Sequence, residues 1–598
     1  MIMETRYNKR IKGVKTKMVR VLLGAAFFTL HSSLFTSCND FLTIYPTDRI
    51  VAEDFWKTKS DVDQMVDGAY QSMLAYDIQE RAIIWGAFRS DELVKYSAYS
   101  DNTLENIEGV NLLPSQRYNS WAAFYKVINN CNIVLNHAPD VMAEDPEFTE
   151  GDYQVVKAQM LALRSLCYFY LVRAFRDVPY SSKAVEDDSQ IEILPQLPPA
   201  EVLQRCLDDL KAAEPYVMRS GAYGDWRDKG YFTRDAVHAL MADIYLWRAA
   251  MTHNKSDYQQ VIDLVDKVVD AKDKYYVENN TASVTGEEDD SLHLYKADEA
   301  FEEIFSNNNM NSHESILEWQ YNGQNNSNTA LENYYYQSGS ESNYQSTSMV
   351  MASSLFASVN NDGSTIYLSN NDYRFWNNVY GANSEEAEQL SIRKMVENKE
   401  NATISPITAT SATKSNSRQF KEFRQNWIVY RLTDLLLMKA EALVETAADS
   451  TDAVTLQKAF DLVKAVNDRS MSKNAKDKLS FANYGTMASM EQLVLDERER
   501  ELCFEGKRWF DLLRYSYRHM TGVNVNQCLA ESSTWPAIYT AMPKLIARKY
   551  TSGGGEAVTY KMKSEPYLYW PIREGELKVN SLLKQNPVYH QEETISKN

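Results

Sequence analysis

Apolar residues recur three and four positions apart over long stretches of the chain, the spacing that gives a helix one buried face. Val62, Met65, Val66 and Ala69 form such a face in a helix that Ser60 caps and that runs to about Tyr76, with Gly68 allowing a close neighbour. Trp121, Phe124, Ile128, Cys131 and Leu135 mark a second helix over Tyr118–Ala138, and Val156, Met160, Leu163, Leu166 and Tyr170 a third over Asp152–Phe175. Pro179 stops any continuation of the third, and Pro198-Pro199 opens a helix near Ala200–Met218. Thr233–Ala250 and Tyr258–Asp270 follow. The period then fails from about Tyr275 to Arg424, where Asn, Ser, Tyr and Thr dominate and only short strand-like runs such as Ser315–Tyr321 (SILEWQY) stand out. Helices return at Trp427–Glu445, Thr455–Ser470 and Met490–Cys503, and Pro566–Ile572 (PYLYWPI) reads as an extended closing piece.

The fold class this predicts is all-α: paired helices over about 59–271 and 427–515, an irregular insertion over about 275–425, and a closing tail over about 520–598. Paired helices of this kind are what tetratricopeptide-like solenoids stack. One segment sits apart, Asp496–Arg514 (DERERELCFEGKRWFDLLR). Leu493, Glu497, Arg500 and Phe504 share a face, while Leu495 and Leu502 mark an apolar line opposite. A solvated helix keeps its charges off its apolar stripe. Glu497 and Arg500 lie on that stripe, so the helix is expected to be covered on both sides with its charges paired internally. Gly506 would then end it as a left-handed cap.

Gly (21) and Pro (15) are scarce for 598 residues, which argues against a β-protein rich in tight turns. A formal net charge of −19 makes an electrostatic grip on nucleic acid an unlikely role, so no nucleic-acid partner is expected. Residues 1–37 read as a secretory signal, with basic residues from Arg6 to Arg20, the apolar run Val21–Leu30, and SLFTSC closing on Cys38. The run resembles a lipoprotein signal whose cleavage leaves Cys38 to be acylated, an anchor on a membrane rather than a span. The other five cysteines (Cys131, Cys167, Cys206, Cys503, Cys528) are too few and too scattered for a disulfide framework. Beyond residue 40 no stretch reads as a membrane span.

Catalytic motifs are missing: there is no phosphate loop, dinucleotide fingerprint, HExxH or nucleophile elbow, and no Cys/His set with zinc spacing. No cofactor or metal is expected; Asn360–Gly363 resembles a calcium loop only faintly, without the acidic ligands. His137 and His238 read as structural histidines. Glu497, Glu501 and Glu505 could supply the paired carboxylates of a glycoside hydrolase, but the surrounding arginines point to ion pairing, which lowers a carboxyl pKa and opposes a general-acid role. The aromatic, amide-rich loops are the better candidates. Tyr96, Tyr99 and Asn102 lie in one; Trp319, Tyr334, Tyr335, Tyr336, Tyr373 and Trp376 lie in the insertion. Sugar rings stack their C–H faces on such side chains, and their hydroxyls bond to amides and carboxylates.

The landmarks CNDFLTIYPTD (Cys38–Asp48), SDE (Ser90–Glu92), RDVPY (Arg176–Tyr180), YRLTDLLLMKAEAL (Tyr430–Leu443), the DERERELCFEGKRWFDLLR segment and YWPIREGEL (Tyr569–Leu577) occur in the order of the SusD/RagB family, which the chain resembles almost end to end. It departs from the family at Arg176, where Gly is usual, and at Arg573, where Pro is usual. The resemblance implies four tetratricopeptide-like helix pairs in a right-handed superhelix and a lipid anchor on the outer membrane, facing outward. It further implies glycan capture for a SusC-like TonB-dependent transporter, with no enzymatic activity. Some family members serve peptide import. The family tends to place ligand aromatics just after the SDE landmark, here Tyr96 and Tyr99.

Overall fold

A computed structural model describes residues 55–97, 99–279, 292–305, 311–323, 325–335, 348–358, 365–380, 390–396, 424–471, 479–550 and 553–589. Cys38, Tyr336 and Asn360–Gly363 lie outside the described residues. In chain order the main elements are α1 (Lys59–Ser72), α2 (Tyr76–Ile83), β1 (Leu93–Lys95), α3 (Ala122–Glu144), α4 (Glu150–Phe175), α5 (Pro199–Ala213), α6 (Arg234–Thr252) and α7 (Lys255–Asn279). The insertion contributes β2 (Ser315–Trp319), α8 (Thr329–Tyr335), β3 (Val350–Ala352) and α9 (Tyr373–Asn377). Then come β4 (Trp427–Arg431), α10 (Leu432–Thr446), α11 (Ala453–Ser470), α12 (Met487–Leu502) and α13 (Arg508–Arg518). The fold is all-α as expected, its few sheets being two-stranded.

Local chemistry sets the helix starts. Thr58 and Asp61 close a capping box at α1, and Thr149 and Asp152 another at α4. Packing runs as a chain of neighbours: α1 on α3, α3 on α4, α4 on α5, then α6 on α7, α7 on α10 and α10 on α11. At the centre is α4, with every side chain from Ala158 to Phe175 buried. Its length and apolarity would suffice to cross a membrane, contrary to the sequence reading, but it is a core helix. Its two interior arginines are paired, Arg164 with Asp209 at 2.7 Å and Arg173 with Asp243 at 3.4 Å.

Four expectations need correcting. Thr58, not Ser60, caps the first helix. Trp427–Arg431 is a strand, not the first turn of a helix; it pairs antiparallel with Ser315–Trp319, Trp319 opposite Trp427. Aromatic and β-branched residues favour that pleated surface. The first helix ends at Ser72, and a second one follows from Tyr76 into a π-turn over Ile84–Phe88. Gly506 is not the cap of α12, which ends at Leu502. Its φ of +71° belongs to the turn beyond, and a Cβ there would lie 2.6 Å from the Ala82 carbonyl oxygen.

The end of α4 explains the first departure from the family pattern. Arg176 sits at φ +65°, a conformation that favours glycine. Its guanidinium donates to Glu565 at 2.8 Å, to Asp177 at 2.7 Å and to the carbonyls of Gln527 (2.9 Å) and Asn524 (2.7 Å). Arg176→Gly would relieve strain of about 1–3 kcal/mol but leave two buried carboxylates unpaired, at a cost of about 3–5 kcal/mol. Net destabilisation in denaturant unfolding is expected, although glycine is the usual residue there.

The segment Asp496–Arg514, a buried pillar built from α12 and α13, is as charged inside as its face pattern predicted. Glu497, fully buried, accepts from Arg374 (2.7 Å), Arg500 (2.9 Å) and Asn467 (3.1 Å). Glu501 takes Arg431 at 2.6 Å, Arg374 at 3.0 Å and Arg469, and Glu505 takes Arg431 at 2.7 Å and Lys394 at 2.6 Å. Burial alone would raise these carboxyls, but the surrounding guanidinium and ammonium groups hold all three below the usual carboxylate range.

Candidate functional site

The SDE landmark turns inward to this pillar. Asp91 accepts from Arg508 at 2.9 Å and Glu92 from the Phe504 N–H at 3.2 Å. The ammonium of Lys549 donates to the carbonyls of Phe88, Ser90 and Leu93 at 2.7–3.1 Å. The chain leaves this anchor as β1, which pairs antiparallel with β3 of the insertion, Val94 opposite Met351. Beyond β1, Lys95 braces the next turn by donating to the Tyr99 carbonyl at 2.6 Å and pairing with Glu105 at 3.2 Å. Asp101 caps the short helix Asn102–Glu108 through the N–H groups of Thr103 and Leu104. A loop held this way presents its side chains on a fixed backbone.

On that loop the Tyr96 ring is buried, Tyr99 is half-buried and Asn102 is exposed. Burial raises the Tyr99 hydroxyl pKa first, the Asp101 carboxylate adds to the rise, and the Arg117 guanidinium opposes it. Arg117 is exposed, lies over the Tyr118 ring at 4.5 Å and pairs with buried Glu80 at 3.1 Å. Half-buried Tyr76 completes the group; its hydroxyl accepts from Asn333 at 3.2 Å, and Glu80 and Arg117 act on it electrostatically. Tyr99 and Tyr76 thus both lie within electrostatic reach of Arg117 and Glu80, and Tyr76 is bonded to the Asn333 amide.

Of the other residues expected to meet a ligand, Tyr334, Tyr335, Trp376 and Trp319 are buried. Tyr334 is fully buried and donates to Glu80 at 2.7 Å, forming the floor beneath Arg117. Tyr335, also fully buried, donates to the Phe504 carbonyl at 2.9 Å and pins the insertion to the pillar. Trp376 is buried, its indole N–H bonded to the Asn370 carbonyl at 2.9 Å. Tyr373 is half-buried beside Arg374, which reaches the pillar glutamates. Trp319 lines a cavity elsewhere, against α1 and α4. Tyr76 and Arg117 are not singled out by the sequence, where Tyr76 falls at the end of the expected first helix and Arg117 just before the second.

Glu497 borders no open cleft, and its lowered pKa is the reverse of what a general acid needs. Among the described residues no group of His, Cys, Asp and Glu is placed to hold a metal ion. The five cysteines Cys131, Cys167, Cys206, Cys503 and Cys528 are free and buried, and burial pushes Cys131 up to about 12. His137 and His238 each pair with a glutamate, Glu186 at 2.8 Å and Glu214 at 2.7 Å.

A rigid helical scaffold carrying an aromatic, amide-bearing loop face has the build of a binding protein. Comparison with known proteins agrees. Residues 313–589 match the model of the SusD family, and residues 40–246 match one described as starch-binding, associating with the outer membrane. SusD-like protein P38 of Formosa agariphila is 24% identical over 533 residues, covering 84% of this chain and 92% of its own length. A SusD superfamily protein of Bacteroides vulgatus superposes with a TM-score of 0.61 at 17% identity, covering 89% of this chain and 99% of the other. NanU of B. fragilis does so at 0.57 and 17%, covering 92% and 100%. Over both matched stretches the chain is thus similar to the SusD/RagB family, one of whose models is described as starch-binding and associating with the outer membrane.

Proposed function

We propose that this protein is a surface lipoprotein, anchored through Cys38, that captures an oligosaccharide or polysaccharide on the Tyr76–Tyr99–Arg117 face and passes it to a SusC-like TonB-dependent transporter. The observation that carries the binding face is half-buried Tyr99 on a loop braced by Lys95, within electrostatic reach of exposed Arg117, which Glu80 holds. Stacking supplies affinity for a pyranose face, and Arg117 with Asn333 supplies donors for its hydroxyls. The family's outer-membrane association supports the anchor and the transporter partner.

Affinity electrophoresis through gels containing single polysaccharides tests the reading. Retardation by at least one glycan is expected, and Tyr99→Ala should weaken it by about tenfold, the scale of one lost aromatic contact plus its buried area. Binding of peptides with no retardation by any glycan would assign the protein to the peptide-importing members instead.

A further inference from the structure

On the other side of the α1–α2 junction lies a cavity of about 650 Å³, walled by α1, α4, the Trp226–Phe232 turn and β2. That size falls within the range of small-molecule sites, roughly 300–1,000 Å³. Its aromatic wall is Tyr70, Trp226, Tyr231, Trp319 and Tyr321. Tyr70 and Tyr231 stack at 4.2 Å, with Trp226 edge-on to Tyr231 at 5.7 Å. Trp226 is 48% exposed, an unusual position for the largest apolar side chain unless something covers it. Around these rings stand Gln71, Gln320, Asn322 and Asn326, with the charged groups of Asp67, Glu318 and Arg424. The indole N–H of Trp319 is buried with no acceptor among the described residues. Gly230 lets Gln320 and Trp226 pack close to the backbone, because a Cβ there would lie 2.8 Å from both side chains.

We infer that this cavity is a second carbohydrate site, taking a neutral or N-acetylated pyranose. It goes beyond the function proposed above, since neither Tyr99 nor Arg117 borders it. The chemistry of the lining selects the ligand class. A purely apolar ligand would face four amides, two carboxylates and a guanidinium without offering them hydrogen bonds. A sugar meets both demands, with a C–H face for Trp226 and hydroxyls for the amides. Tyr70 and Tyr231 cannot swing away to widen the site, because their hydroxyls are tied to Gln159 and Asp67.

The test is fluorine NMR of the full chain in detergent, labelled with 5-fluorotryptophan and titrated with the methyl glycosides of glucose, galactose, mannose and N-acetylglucosamine. The Trp226 resonance, identified from Trp226→Phe at its exposed position, is expected to shift with at least one of these sugars. The shift should persist in the Tyr99→Ala/Arg117→Ala double variant, and Gly230→Val should weaken it by at least about tenfold. The proposal is overturned if no sugar moves Trp226, if the shift vanishes in the double variant, or if Gly230→Val leaves the titration unchanged. Failure here would leave retardation by polysaccharide intact, whereas failure of the Tyr99 face would not alter the Trp226 titration.

Discussion

Glu501→Gln is expected to lower the free energy of unfolding by about 3–5 kcal/mol, the cost of leaving buried charge without its partner. Glu501 is buried and receives Arg374, Arg431 and Arg469, three guanidinium groups brought from the insertion, β4 and α11. An amide of the same shape keeps the packing but removes the charge that balances them. This network and the neighbouring Glu441 cluster set an acid limit. Glu501 and Glu505 are held below the usual carboxylate range, and Glu441 is lowered to about 2, burial opposing the shift and Arg514 and Arg518 driving it. Depressed carboxyl pKa values contribute stability above the unfolded value, about 4.3, which is lost as pH falls through the folded values. Urea unfolding followed by circular dichroism should therefore show a steep loss below about pH 4.3, and a shallower one in Glu501→Gln. Equal stability of variant and parent at neutral pH would remove the pillar from this role.

Glu499 runs the other way. It shares Arg508 with Asp91, and burial raises it to about 8 despite the 2.8 Å pair. A raised carboxyl pKa costs stability as pH rises from the unfolded value toward the folded one. Glu499→Gln should therefore match the parent below about pH 4.3, draw ahead of it as pH rises, and reach its full advantage by about pH 8, in the same unfolding assay.

Gly86→Ala is the second large effect. A Cβ on Gly86 would lie 1.8 Å from the Gly506 carbonyl oxygen, so two backbone segments would have to separate. Overpacking in ordinary cores costs about 1–3 kcal/mol. Here neither neighbour is a side chain that can rotate away, so the cost should exceed that range. Gly86 lies in the π-turn just before SDE, and Gly506 in the turn between α12 and α13. The variant should loosen both halves of the anchor that carries Tyr99, so glycan affinity should fall together with stability. A stable variant with unchanged affinity would mean that this contact does not position the loop.

Much of this arrangement was legible in the chain. Charges on an apolar stripe at Glu497 and Arg500 leave only internal pairing as a way to stay buried, and that is what the structure has. Which cations answer them was not legible, because Arg374 reaches Glu497 across 123 positions of sequence. The SDE and EGKRW landmarks likewise meet only in the fold, as Asp91 on Arg508. WIVYR was misread because it runs without a break into the apolar helix LTDLLLM, hiding the change from period two to period 3.6. For the candidate site, ring identity could not separate platform from packing. Tyr99 and Tyr335 both stand in polar sequence, yet one is half-buried at the surface and the other is sealed under Phe504. Burial decides the difference, and it depends on distant partners.

The most direct measurement is a crystal structure of the protein with an oligosaccharide taken from whichever polysaccharide retards it. An intact sugar chain stacked on Tyr99 and Tyr76, with Arg117 or Asn333 bonded to its hydroxyls, is the expected result. A cleaved product beside Glu497, or a bound sugar with the Tyr76–Tyr99–Arg117 face left bare, would contradict it.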